Sequence, residues 1–147
     1  MDVTTTIEFS SIKWTAWIQS SHVATADGKL LTVELGPDQE DVFMNLMGEA
    51  CQQVLRVFSG RQGDVNGVPY EKSETQVTYR FREEEPVLTQ AESIKAALAK
   101  DVEVALYSFV ASNFFALKKN EEMSTYFISK FDNAIINIDN HLYRLHN

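Results

Sequence analysis

Apolar residues recur along this chain with two spacings, alternation and threes and fours, and these predict its strands and helices. From Val3 to Phe9 the run is rich in Thr, Ile and Phe, which suit an extended backbone. Ile12 to Ile18 follows and carries Trp14 and Trp17. Asp27-Gly28 is a hairpin signal, because both residues tolerate the positive φ of a tight turn. Val23 to Ala26 leads into that turn. Leu30 to Leu35 leads out, with Leu31, Val33 and Leu35 on one face and Thr32 and Glu34 on the other. Residues 1–36 are therefore expected to be β-rich.

The period changes after Gly36-Pro37. Asp38 can cap a helix, and Glu40 and Asp41 suit the positive end of its dipole. Phe43, Leu46, Met47, Ala50, Val54 and Phe58 recur at threes and fours, which predicts one amphipathic helix ending near Gly60. Residues 61–86 form a polar excursion, a β arm or hairpin inserted between helices. Within it Val77, Tyr79 and Phe81 alternate with Gln76, Thr78, Arg80 and Arg82, and a turn is expected near Asn66-Gly67. Glu83-Glu84-Glu85-Pro86 ends the arm.

Thr89 and Glu92 have the spacing of a capping box. A long helix is predicted from there to about Leu117, with Ile94, Leu98, Val102, Ala105, Leu106, Phe109 and Phe114 as its main stripe. From Val102 onward it is apolar almost all round, since Val104, Tyr107, Val110, Ala111 and Phe115 cover the remaining faces. A helix without a polar face is surrounded by protein. The expectation is that Val104, Tyr107, Ala111 and Phe115 meet another subunit, with Trp14 and Trp17 as further interface candidates against their own core. Asn120 can cap a last helix, and Glu121 and Glu122 sit in its first turn. Met123, Phe127, Phe131, Ala134, Ile135, Ile138, Leu142 and Leu145 mark its stripe. The short join makes the last two helices an antiparallel hairpin. The predicted class is α+β: a single domain over 1–147 with a three-helix core, a C-terminal antiparallel helical hairpin, an N-terminal β region and an inserted β arm.

Composition narrows the chemistry. The chain has 147 residues and is 44% hydrophobic, enough for one core. Its net charge of -8 disfavours broad nucleic-acid binding, which needs a basic footprint. Its single cysteine, Cys51, excludes an internal disulfide and reads as a small buried hydrophobe. No membrane span or secretory signal is legible. His22, His141 and His146 match no zinc spacing and read as surface or helix-end residues. Gly60 to Gly67 is glycine-rich but lacks the Lys and Ser/Thr of a P-loop, so it reads as a loop. Asp101 is the least ordinary acid, because it interrupts the densest apolar stretch; a buried hydrogen bond or a subunit contact would account for it. Arg80 and Arg82, near Arg61 and Lys72, serve edge protection or contact a protein. No cofactor is expected and no enzyme activity.

The segment Ala105-Leu106-Tyr107-Ser108-Phe109-Val110-Ala111-Ser112, then Lys118-Lys119-Asn120-Glu121-Glu122, then Tyr126-Phe127-Ile128-Ser129-Lys130-Phe131 resembles the C-terminal hairpin of head-tail connector (adaptor or neck) proteins of tailed bacteriophages. The acidic helix after Asp38-Gln39-Glu40-Asp41 is similar to that group's opening helix, and the excursion at 61–86 sits where such proteins carry a β insertion. The resemblance covers about half of the chain, and the β-rich start departs from the short forms of the family. It implies a virion structural protein: a homo-oligomeric ring, commonly dodecameric, between portal and tail or neck proteins, with DNA only as passing cargo. The interface would lie at Val104, Tyr107, Ala111 and Phe115. The docking arm would be Val77, Tyr79, Arg80, Phe81 and Arg82, or the N-terminal strands. The residues leave two alternatives open: a small protein-binding or chaperone-like module with one apolar groove, and a hydrolase in which Asp101 converges with Asp132 or Asp139.

Overall fold

The computed structural model describes residues 2–10, 40–58, 69–82, 91–117 and 119–146. The predicted strands between Ile12 and Leu35, the two tryptophans, the Asp38 cap, Gly60, Asn66-Gly67 and Thr89 lie outside them. Six elements carry the fold in chain order: β1 (Asp2–Glu8), α1 (Glu40–Phe58), β2 (Tyr70–Lys72), β3 (Gln76–Arg82), α2 (Ala91–Leu117) and α3 (Glu121–His146). The fold is α+β, with three helices and a three-stranded antiparallel sheet among the described residues.

The sheet order is β1-β3-β2. β1 pairs with β3 residue for residue from Asp2 opposite Arg82 to Glu8 opposite Gln76, without a bulge. The period-2 pattern then decides the faces. Thr5 and Ile7 of β1 and Val77, Tyr79 and Phe81 of β3 are buried, while Thr4, Thr6 and Glu8 are exposed. β2 and β3 form a hairpin whose turn is Ser73-Glu74-Thr75-Gln76, not Asn66-Gly67, which precedes β2. Ser73 closes that turn locally: its N–H donates to the Gln76 carbonyl at 2.9 Å, and its Oγ accepts from the amides of Thr75 and Gln76 at 3.2 Å each.

The apolar stripe of α1 lies on the sheet. Phe58 stacks on Tyr79 with ring centroids 5.0 Å apart and touches Phe81 at 5.3 Å. The Tyr79 hydroxyl, carried into the core by its ring, donates to the Cys51 carbonyl at 2.9 Å, so the buried polar tip is satisfied.

α2 runs through the middle of the molecule, in contact with α1, β1 and α3. Against α3 it packs ring on ring: Phe115 stacks on Phe127 at 5.7 Å, and Phe109 meets Phe131 at 5.4 Å. The join between the two helices is a Schellman-type stop. Lys119 takes φ 60, its amide donates to Ala116, and the Asn120 amide donates to Phe115. Asn120 then caps α3, its Oδ1 accepting from the Met123 amide at 3.2 Å. Ser112 ties the hairpin across this end by donating to the Ser124 carbonyl at 2.8 Å.

Candidate interaction surfaces

The proposed interface on α2 is internal to the chain. Tyr107 is 7% exposed, Ala111 and Phe115 are fully buried, and Val104 is half-buried against the same core. The physical reason is coverage: α2 is in contact with α1, β1 and α3, and together they hide the faces that sequence assigned to a neighbour. The predicted burial of a helix without a polar face is therefore met by the protein's own elements. Trp14 and Trp17, the other interface candidates, lie outside the described residues.

The docking arm is also corrected. β3 is the central strand of the sheet, and its Val77, Tyr79 and Phe81 are fully buried under α1. Arg80 is on the opposite face and pairs with Glu71 of β2 at 3.2 Å, a partly exposed bridge worth little in stability. Arg82 lies opposite Asp2 in the β1–β3 ladder. Nothing in this strand projects as an apolar arm. Its outer face borders a shallow cleft of about 370 Å³ lined by Glu71, Lys72, Ser73, Gln76 and Thr78.

Among the described residues the exposed large apolar side chains all belong to the helical hairpin. Leu117 is 66% exposed at the end of α2, and Tyr126 and Ile136 of α3 are 48% and 58% exposed. Beside Tyr126, the Lys130 ammonium lies 5.4 Å from the Tyr107 ring centre and 5.7 Å from that of Tyr126, and donates to the Tyr107 hydroxyl at 3.3 Å. The cation is thus drawn onto aromatic faces, and Tyr126 keeps one side in water. The stripe read from the sequence leaves Tyr126 and Ile136 off the buried face of α3, but nothing in the pattern marks them as contact residues.

The titratable groups tested for chemistry separate. Asp101 has a polar partner that accounts for it, His141 Nε2 at 2.7 Å, with both side chains about four-fifths buried. His141 is accordingly an α2–α3 contact and not a surface residue. The two are 40 positions apart, so no local spacing signals the pair. Asp132 and Asp139 are exposed, so the three acids of the hydrolase alternative do not share one environment. Among the described residues no group of three His, Cys, Asp or Glu could hold a metal ion. No helix among them is long and apolar enough to cross a membrane.

Cys51 is fully buried. Burial pushes its thiol up to about 11, with the Tyr79 hydroxyl and the Lys72 charge pulling the other way. The thiol is protonated near neutrality and therefore a poor nucleophile. Tyr79 and Tyr70 are raised too, by burial first and by their proximity to Cys51 second.

No protein-family model, curated protein or solved structure matches this chain.

Proposed function

We propose that this chain is a structural assembly protein: a subunit of a ring in the neck of a tailed-phage virion, joining portal to tail components and letting DNA pass. The observation that carries the reading is the outer surface of the hairpin, where Leu117, Tyr126 and Ile136 stay exposed although the core is otherwise well enclosed. Aromatic and aliphatic anchors on a rigid helical surface are what a subunit contact uses. The proposed subunit contact accordingly shifts from the buried faces of α2 to Leu117 at its end and to Tyr126 and Ile136 of α3. The resemblance of the Ala105–Phe131 hairpin to connector proteins supplies the architecture, a homo-oligomeric and commonly dodecameric ring. A net charge of -8 supports a lumen that a DNA duplex traverses without sticking.

Sedimentation of the chain and of a Leu117→Ser, Tyr126→Ser, Ile136→Ser variant tests this. The expected result is an oligomer for the parent and a folded monomer, with unchanged helical circular dichroism, for the variant. An oligomer that survives all three substitutions contradicts the assignment of this surface.

A further inference from the structure

The outer edge of β1 is the feature that the assembly reading leaves unused. β1 is an edge strand of the sheet, and among the described residues only β3 pairs with it. The opposite edge belongs to β2, which has three residues and is protected by its shortness. β1 is different: seven residues, Asp-Val-Thr-Thr-Thr-Ile-Glu, in continuous register, with no proline, glycine, lysine or bulge to blunt it. Alternate amides and carbonyls along such an edge point away from the sheet, and among the described residues no strand pairs with them. Its side chains already alternate as an added strand requires, Thr5 and Ile7 inward and Thr4, Thr6 and Glu8 outward.

We infer that the outer edge of β1 accepts an extended segment of a partner protein by strand addition, and that this segment carries cationic residues at both ends. Charge selects the occupant. The strand begins with Asp2 and ends with Glu8. A second copy of β1 laid antiparallel and centred on Thr5 would set Asp2 against Glu8 at both ends, acid against acid, which cross-strand pairing penalises. A segment with lysine or arginine at those positions makes two opposite-charge pairs instead. In register, β3 on the inner edge places Arg82 opposite Asp2 and Gln76 opposite Glu8, and it sets Thr78 opposite Thr6 with the two hydroxyls 3.0 Å apart. The inference is independent of ring formation through the hairpin, since it concerns a different surface and a different partner.

Amide hydrogen exchange of the full chain tests it, with a seven-residue threonine–valine peptide ending in lysine at both ends as the probe and the same peptide ending in glutamate as the control. In the free chain the alternate β1 amides that face away from β3 exchange fast. Lysine peptide at millimolar concentration slows those amides, binding about fivefold tighter than the glutamate peptide, and Glu8→Lys removes about threefold of that preference. Three results would overturn the inference: outward β1 amides that are already protected in the free chain, protection that grows with protein concentration without peptide, or no protection by the lysine peptide.

Discussion

Lys119 shows how a single position can work against its own neighbourhood. Its φ of 60 lies in the left-handed region that glycine adopts without cost, and the hydrogen bonds around it require that conformation. Lys119→Gly is therefore expected to raise stability by about 0.5–1 kcal/mol, read as a higher urea midpoint at unchanged slope. Cys51 is the second telling residue. Its folded-state pKa lies above the ordinary thiol value, so the native state holds a proton that the unfolded chain releases. Stability from this group is complete below about pH 9 and is lost as pH rises toward 11, about 2–3 kcal/mol in all. Urea titrations at pH 8 and pH 9.5 check this, and Cys51→Ala should flatten the decline up to about pH 10, where the tyrosines of the unfolded chain begin to ionise. A free-thiol reagent should leave the native chain unmodified and label it once in denaturant.

At the scale of elements, the last two helices were the most legible part of the sequence. Their apolar stripes, the Asn120 cap and the acidic first turn of α3 all point to one antiparallel hairpin, and it is present. The alternation from Val77 to Phe81 was legible for the same reason, a clean period over enough residues to fix the faces. The turn before it was not. Asn66-Gly67 is the stronger local signal, but Ser73 makes its turn through side-chain bonds that any loop serine offers, and only the β2–β3 register selects it. Two serines on α2 separate local from tertiary roles. Ser112 donates to α3, so Ser112→Ala should cost about 1 kcal/mol. The Ser108 hydroxyl is buried without a partner among the described residues, so Ser108→Ala should be neutral or stabilising. Thermal unfolding of the two variants side by side checks the contrast.

For the whole molecule, pattern could say that α2 is covered but not by what. Val104, Tyr107, Ala111 and Phe115 carried no mark distinguishing a neighbouring subunit from α1, β1 and α3 of the same chain, because burial looks alike from either source. The structure assigns the cover to the chain itself, and Phe115→Ala should consequently destabilise the fold by about 3–5 kcal/mol whatever the oligomeric state. The Asp101–His141 contact escaped for a related reason: its partners are brought together only when the hairpin closes. What stays outside among the described residues, Leu117, Tyr126 and Ile136, is what the proposed assembly would use.

The mass of the undenatured chain in solution, by native mass spectrometry at micromolar concentration, is the most direct test of that assembly. The account predicts one closed species at about twelve times the 16.7 kDa chain mass. A stable monomer with the same helical content would contradict it.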